Sequence, residues 1–280
     1  MKYDLHCHSV FSDGTWTPED IIGFAKENEL VPALTDHNTA AGLPRFVAAA
    51  HAKGVEAVAG VEFSSDFENA EFHILALFVE SKYYSLVEEI SLDYKKRKEE
   101  SNVELIEKLN KAGYDISFEK LKQNAVTGSF NRAVIAAEMK KKGYVDSVDE
   151  AFRGVLNKKT GYYVPPKRKS SFEIIDFVKS INAVPVLAHP LISADSEVLE
   201  KFLPEAKKAG LLGMETRYSL YSREMSETAS ATAKKYGLLE SGGSDFHGAN
   251  KPDITLITGK GDLFVPEEFY LRLKRHQKTV

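Results

Sequence analysis

The chain has 280 residues, of which 43% are hydrophobic and 28% are charged, and its formal net charge is −4. A chain of this length can bury a large core, and α/β barrels commonly form one domain of this size. The mild acidity argues against broad non-specific nucleic-acid binding, which normally needs a basic surface, and we expect no stable binding of duplex DNA.

The sequence shows no sign of secretion or of membrane insertion. It lacks the apolar segment of a secretory signal near residue 1 and has no apolar run of the roughly 18 residues that would predict a membrane span. The single cysteine, Cys7, excludes an intramolecular disulfide and fits a reducing compartment. We therefore expect a cytoplasmic protein that is not attached to a membrane.

The first predicted strand, residues 3–8, contains two histidines. Strand alternation places His6 and His8 on one face together with Asp4, whereas Cys7 lies on the opposite, apolar face. Two imidazoles on one side of a strand can reach a single metal ion. Alone, such a pair is weak evidence, because strands contain it by chance.

A helix and a second strand follow. Residues 17–20, Thr-Pro-Glu-Asp, predict a helix start with threonine as N-cap, proline at the first position and an acid at the third. The second strand, residues 31–35, ends at Asp36 and His37, and a helix is predicted over 43–53. Strands alternating with amphipathic helices are typical of a parallel α/β fold.

Most further strands end at or just before a candidate ligand; the predicted ranges are 55–63, 72–79, 184–188, 211–215 and 238–243. In parallel α/β barrels, this is the face on which active sites form. A charged helical stretch interrupts the pattern. We predict a barrel from 1–79 and 166–280, with an inserted helical lid or substrate subdomain from 80–165.

Six of the eight histidines belong to a series of short histidine- and carboxylate-containing motifs, whereas His51 and His276 lie outside it. The motifs are His6-Cys7-His8, Ser12-Asp13-Gly14, Thr35-Asp36-His37, Gly60-Val61-Glu62, Glu71-Phe72-His73, Ala188-His189-Pro190 and Ser244-Asp245-Phe246-His247. Imidazole and carboxylate are ligands of zinc, manganese and iron. Their number suits two or three metals better than one, and the set predicts metal-assisted hydrolysis.

The ordered motifs resemble the PHP (polymerase and histidinol phosphatase) family, and most closely its stand-alone phosphoesterases that act on nucleotides. The resemblance implies a distorted (β/α)7 barrel with two or three divalent ions, Mn²⁺, Zn²⁺ or Fe²⁺, at its carboxyl face. The nine implied ligands form three groups: His6, His8, Glu62 and Asp245; Asp13, His37 and His247; Glu62, His73 and His189.

Such a metal centre predicts direct attack on phosphorus by a metal-bound hydroxide, with no serine or cysteine nucleophile. The leaving alkoxide needs a metal or a proton donor, and Asp36 and His247 are the nearest candidates. Asp36 is alternatively suited to orienting a histidine ligand.

The resemblance implies a nucleotide or short oligonucleotide as substrate, as in a 3′,5′-bisphosphate nucleotide phosphatase or a 5′-3′ exoribonuclease. Arg132 and Arg217 are candidate phosphate clamps, because a guanidinium can pair two phosphate oxygens. Further candidates are Lys158, Lys159 and Tyr163. Relatives often show Arg-x-His near Arg132, whereas this chain has Val134, so the identity of the substrate stays open.

Two other functions are compatible with the motifs. The first is a histidinol-phosphate phosphatase, although the charged helical insert resembles the nucleotide-acting group more. The second is a non-catalytic regulatory module of the kind attached to polymerases, which the absence of a polymerase segment disfavours.

Overall fold

The computed structural model of the chain describes residues 1–124, 130 and 132–277. The chain divides into two compact units. The barrel unit contains Met1–Glu89 and the chain from Arg168 onward, and the helical unit contains Ile90–Lys167. The helical unit therefore begins later than the predicted residue 80.

Seven strands form one sheet in the order of the chain: β1 Lys2–Cys7, β2 Leu30–Leu34, β3 Val58–Phe67, β4 Ala70–Leu77, β5 Val184–Ala188, β6 Gly213–Tyr218 and β7 Leu239–Gly243. The two outer strands approach each other at their carboxyl ends, where the His8 amide donates to the Phe246 carbonyl at 2.9 Å and the Asp245 amide to the His6 carbonyl at 2.8 Å. The sheet is therefore a nearly closed barrel, and the predicted α/β barrel is confirmed.

The strand β4 departs from the expected parallel arrangement. It runs antiparallel to both β3 and β5, whereas the other neighbouring strands pair in parallel. Only Glu68 and Asn69 join β3 to β4. A parallel connection needs a crossover of a dozen or more residues, so a link this short forms a hairpin.

The helices of the barrel unit are α1 Pro18–Asn28, α2 Leu43–Lys53, α7 Ser171–Ser180, α8 Pro190–Ser193, α9 Ser196–Ala209, α10 Arg223–Lys235 and α11 Glu267–Lys274. The long helix α3, Tyr84–Lys111, begins in the barrel unit and continues into the helical unit. The helical unit also contains α4 Phe118–Asn124, α5 Arg132–Lys141 and α6 Val148–Arg153. The predicted start of α1 is confirmed, because Thr17 and Asp20 form a reciprocal capping box. None of the helices within the described ranges has the length and apolar character needed to cross a lipid bilayer.

The first turns of α3 belong to the barrel unit. The Glu88 carboxylate accepts hydrogen bonds from the Thr39 hydroxyl and the Ala40 amide, each at 2.7 Å. These bonds attach the start of the helix to the segment after β2. The start of α3 is therefore held to the barrel unit, and the boundary between the units falls inside this helix.

Each unit has its own hydrophobic core. In the barrel unit, alternate strand residues such as Leu75 and Leu77 pack with Leu273 of α11, as expected for side chains on one face of a strand. In the helical unit, Leu105 and Met139 belong to a separate buried cluster. Because each cluster is complete within its unit, the helical unit has the internal packing of a folded subdomain.

Candidate metal centre

The first of three groups of converging side chains lies where β1, β3 and the segment after β7 meet. It contains His6, His8, Glu62 and Asp245, whose donor atoms all lie within 4.8 Å of one another. The Nε2 atoms of both histidines are 3.2 Å from Glu62 Oε2, and His8 Nε2 is also 3.2 Å from Asp245 Oδ1. All four residues are buried. These four residues are the ones that the resemblance assigned to one metal.

The second group contains His8, Asp13, His37 and His247. His247 Nε2 is 3.2 Å from Asp13 Oδ1, and His37 Nε2 is 3.9 Å from Asp13 Oδ2. Asp13 and His37 are partly exposed, in contrast to the buried first group. The structure therefore brings together the three residues predicted for a second metal and adds His8 to them.

The third group contains His37, Glu62 and His73. Glu62 Oε1 lies 2.8 Å from His73 Nδ1 and 3.1 Å from His189 Nε2. The three residues predicted for a third metal are thus in contact, with Glu62 between the two histidines. Since Glu62 also belongs to the first group, its two oxygens face different sets of imidazoles.

Unsatisfied buried atoms lie within these groups. Asp13 Oδ1, His37 Nδ1 and Glu62 Oε2 are buried and have no hydrogen-bond partner within the part of the chain that the structure describes. His37 Nδ1 is only 3.0 Å from Glu62 Oε2, but the angles do not allow a hydrogen bond. Buried polar atoms are normally satisfied, so donor atoms that converge without bonding one another fit a divalent metal.

Several of the converging residues occupy unusual backbone conformations. His189 and Asp245 have positive φ angles of 32° and 54°, which non-glycine residues rarely adopt and which cluster at functional sites. Gly243 allows β7 to approach β1, because a Cβ atom there would lie 2.4 Å from the Cβ of His6. The local backbone is therefore shaped to bring side chains from both ends of the barrel sheet together.

Glu215, at the end of the predicted strand 211–215, orients two of the ligands, a role that the sequence analysis did not assign. Its buried carboxylate accepts from His6 Nδ1 at 3.0 Å and from the His189 amide at 2.7 Å. With Nδ1 donating to this carboxylate, Nε2 is the His6 atom that faces the first group, where it lies 3.1 Å from His8 Nε2. The position of Glu215 at a strand end was the signal that could have identified it.

The ring of His247 is oriented in a similar way. Its Nδ1 lies 2.8 Å from the Asp245 carbonyl, and a carbonyl can only accept, so Nδ1 carries the proton. Nε2 then presents a lone pair toward Asp13. This arrangement fits a metal ligand better than the predicted proton donor.

Asp36 is engaged in holding a loop, which argues against its predicted role as proton donor to the leaving group. Its carboxylate accepts from the Ser9 amide at 2.8 Å, the Ser9 hydroxyl at 2.6 Å and the Ser12 hydroxyl at 2.6 Å. Both carboxylate oxygens are therefore occupied by donors from one turn. Asp36 thus fixes the turn that leads to Asp13, which agrees with the alternative of an orienting residue.

The electrostatics of the centre follow from mixing imidazoles and carboxylates in a buried space. Burial lowers the pKa of His8, but its bonds to Asp245 and Glu62 outweigh this and raise that pKa to about 9. Burial likewise lowers the pKa of His73, yet Glu62 raises it to about 10. For His37, burial prevails and lowers the pKa to about 3.

The carboxylates shift in the opposite direction. Burial alone raises the pKa of Glu62, but the surrounding histidines, His6 first, hold this pKa well below its usual value. The same holds for Asp245, where burial is outweighed by His6 and His8. The carboxylates are therefore ionised and able to bind cations at neutral pH.

Arg217 does not reach the metal centre. Its guanidinium donates to the Thr216 carbonyl at 3.0 Å and to the Ser230 hydroxyl at 2.9 Å, and it lies over the ring of Phe269. The cause is a register shift in β6 between Glu215 and Arg217, since a bulge breaks the alternation that would place both on one face. The prediction of Arg217 as a phosphate clamp is therefore not supported.

The remaining predicted phosphate-binding residues belong to the helical unit. The guanidinium of Arg132 stacks 3.7 Å from the centre of the Tyr163 ring and donates to the Leu156 carbonyl at 3.1 Å. Lys158 and Lys159 are exposed in a short 3₁₀ turn. For these four residues, phosphate binding stays a prediction.

Tyr218 and Lys251 contact the centre and were not predicted. The Tyr218 hydroxyl and the Lys251 ammonium both donate to Asp245 Oδ2, at 2.8 and 2.6 Å. Tyr218 follows the β6 bulge, and a bulge cannot be recognised from the alternation of apolar and polar residues. Lys251 lies in a short turn that has no strand or helix periodicity to mark it.

The chain forms a nearly closed α/β barrel, and histidines and carboxylates converge at the ends of its strands. This combination is typical of hydrolases whose site can hold metal ions. A family model described as the PHP domain matches residues 4–164. The chain therefore belongs to the PHP domain family, as the motifs predicted.

Similar proteins are phosphoesterases. A 5′-3′ exoribonuclease of Haemophilus influenzae is 30% identical over 248 residues, covering 88% of this chain and 90% of the relative. A 3′,5′-nucleoside bisphosphate phosphatase of Chromobacterium violaceum is 27% identical, covering 87% and 86%. A solved structure from Bifidobacterium adolescentis, classed as a metal-dependent phosphoesterase, matches with a TM-score of 0.82 and 25% identity over 100% and 98% of the two chains. The chain is accordingly an enzyme of the phosphoric ester hydrolase class.

Proposed function

We propose that this enzyme hydrolyses a phosphate ester of a nucleotide or a short oligonucleotide, using two or three divalent metal ions. The observation that carries the proposal is the overlap of three histidine–carboxylate groups through His8, His37 and Glu62. Support for the substrate class comes from the exoribonuclease of Haemophilus influenzae and the nucleoside bisphosphate phosphatase of Chromobacterium violaceum.

The donor set fits manganese, zinc or iron, all of which accept imidazole and carboxylate. We assign His6, His8, Glu62 and Asp245 to one ion, Asp13, His37 and His247 to a second, and Glu62, His73 and His189 to a third. When bound, such ions supply an activated water and positive charge for the phosphate oxygens.

The chain's own residues orient the ligands. Glu215 fixes the tautomer of His6, and the Asp245 carbonyl fixes that of His247. Asp36 holds the turn before Asp13. Because these partners are buried, they place the ligands without rearrangement when substrate binds.

The helical unit is proposed to act as the lid or substrate subdomain. Its own core, which includes Leu105, Ile135 and Met139, gives it the rigidity to present side chains to a substrate. We also propose that the enzyme acts in the cytoplasm, supported by its single buried thiol, Cys7.

The test is a substrate panel with purified, Mn²⁺-loaded protein. The panel contains a nucleoside 3′,5′-bisphosphate, a short 5′-phosphorylated oligoribonucleotide and histidinol phosphate. We expect turnover of one of the first two, and loss of at least a hundredfold in His8→Ala and Asp245→Asn, since loss of a ligand costs at least as much as loss of its supporting partner.

The matched control is His51→Ala, which removes an exposed histidine of α2 outside the centre. It should leave the rate unchanged. Turnover of histidinol phosphate alone would overturn the proposed substrate class. Full activity in both His8→Ala and Asp245→Asn would overturn the proposed metal site.

A further inference from the structure

Lys251 brings a positive charge to the edge of the metal centre. Its ammonium lies 2.6 Å from Asp245 Oδ2, while Asp245 Oδ1 faces His8 Nε2 at 3.2 Å. The side chain of Lys251 is 37% exposed, whereas that of Asp245 is 6% exposed. Lys251 therefore lies between the buried ligands and solvent.

The backbone around Lys251 is fixed to the loop that contains Asp13. The Asn250 side chain donates to the Asp13 carbonyl at 2.7 Å, and the Ala249 amide donates to the Thr15 hydroxyl at 2.9 Å. On the other side, the Lys251 carbonyl accepts from the Ile254 amide at 3.0 Å. The ammonium is thus presented by an anchored turn, which lowers the entropic cost of using it in binding.

Asp245 does not depend on Lys251 for its orientation. The buried Tyr218 hydroxyl donates to the same oxygen, Oδ2, at 2.8 Å. If the ammonium moves toward an anion, Oδ2 keeps this bond and is not left unsatisfied. Tyr218 therefore has the structural role, and Lys251 is available for a second partner.

We propose that Lys251 binds the phosphate group of the substrate beside the metal centre. An ammonium is a compact point charge suited to phosphate, and that of Lys251 contacts the predicted metal ligand Asp245. The chemical class of ligand is a phosphate ester, and a dianionic monoester should benefit more than a monoanionic diester. The inference rests on the proposed function.

The alternative is that Lys251 only compensates the charge of Asp245. Substrate charge separates the two roles, because a purely structural lysine would affect monoesters and diesters equally. Lys251→Met is therefore compared with Lys251→Arg, which keeps the charge, and with Lys260→Met, which removes an exposed lysine in the nearby 255–263 turn.

The experiment measures KM and kcat of Mn²⁺-loaded protein for p-nitrophenyl phosphate and bis-p-nitrophenyl phosphate, with metal content determined by elemental analysis. We expect Lys251→Met to raise KM for the monoester about tenfold to a hundredfold, as loss of a charge-assisted hydrogen bond predicts, with a smaller rise for the diester. Lys251→Arg should recover most of this loss, and Lys260→Met should match the wild type. Equal effects on both esters, or loss of metal in Lys251→Met, would overturn the proposal.

A direct binding measurement separates this proposal from the proposed function. Inorganic phosphate is titrated calorimetrically into Mn²⁺-loaded wild type and Lys251→Met. Weaker phosphate binding in the variant supports the role of Lys251 even if the nucleotide panel shows no turnover. Unchanged phosphate affinity would contradict it even if nucleotides are hydrolysed.

Discussion

At the scale of single residues, Glu62 determines how the centre is arranged. One of its oxygens lies 3.2 Å from His6 and His8, and the other lies 2.8 Å from His73 and 3.1 Å from His189. His37 Nδ1 also lies 3.0 Å from the first of these oxygens, so this buried carboxylate has five imidazoles around it. The attraction between this carboxylate and the imidazoles raises the pKa of His8 and His73 and lowers the pKa of Glu62.

These pKa shifts predict that metal binding releases protons. In the metal-free protein His8 and His73 have pKa values of about 9 and about 10, so both are protonated at neutral pH. A metal binds only the unprotonated ring. The affinity for Mn²⁺ should therefore rise with pH up to these values, by about tenfold per pH unit for each displaced proton.

Calorimetry in two buffers of different ionisation enthalpy measures the number of protons released. His51→Ala should release the same number as the wild type, since His51 lies outside the centre. An Mn²⁺ affinity that does not change between about pH 6 and pH 8 would disagree with the shifts.

At the scale of elements, the sequence predicted the strands that end in ligands and failed where a strand departs from regularity. Periodicity and strand-end position identified β1, β2 and β5 and with them His6, His8, His37 and His189. It could not show that β4 reverses direction, because a hairpin and a crossover differ in connection length rather than in the strand pattern. Nor could it detect the β6 bulge that turns Arg217 away and brings Tyr218 to Asp245.

The loop after β1 gives a prediction at this scale. Asp36→Asn replaces an oxygen that accepts from Ser9 or Ser12 with an NH₂ group, so one donor in the buried turn loses its partner. We expect a tenfold to hundredfold loss of activity, the usual range for a partner that orients a ligand. The exposed Asp176→Asn in α7 is the control.

Kinetics at saturating Mn²⁺, together with metal content, measure this effect. If Asp36 instead protonated the leaving group, the variant would keep its metals and its Mn²⁺ affinity and would lose only kcat. Weaker Mn²⁺ binding in Asp36→Asn therefore distinguishes the orienting role from the acid role.

At the scale of the whole molecule, the metal centre belongs entirely to the barrel unit. All nine predicted ligands lie within Met1–Glu89 or beyond Arg168, and the helical unit has a separate core. The strand pattern stops near residue 80, which is where sequence reasoning divides the chain. Periodicity does not show that the Glu88 carboxylate holds the start of α3 to the segment after β2.

This division predicts that damage to the helical core leaves the centre intact. Leu105 of α3 is fully buried in that core, and Leu105→Ala should destabilise the helical unit by about 2–5 kcal/mol through the cavity it leaves. Leu92→Ala, which truncates an exposed leucine of the same helix, should change stability by less than about 0.5 kcal/mol.

Hydrogen exchange and metal analysis check this together. Leu105→Ala should speed exchange in α5 and α6 while the barrel strands and the metal content stay as in the wild type. Loss of metal in this variant, but not in Leu92→Ala, would show that the two units do not fold independently.

The contact between β1 and the segment after β7 has a consequence for biosynthesis. His6 and His8 leave the ribosome early, but their partner Asp245 is translated more than two hundred residues later, and the Asp245 amide bonds to the His6 carbonyl. A nascent chain that stops short of residue 245 cannot complete the first group of ligands. Metal binding by this group therefore requires the last strand to be in place, and it favours the closed barrel over a shorter intermediate.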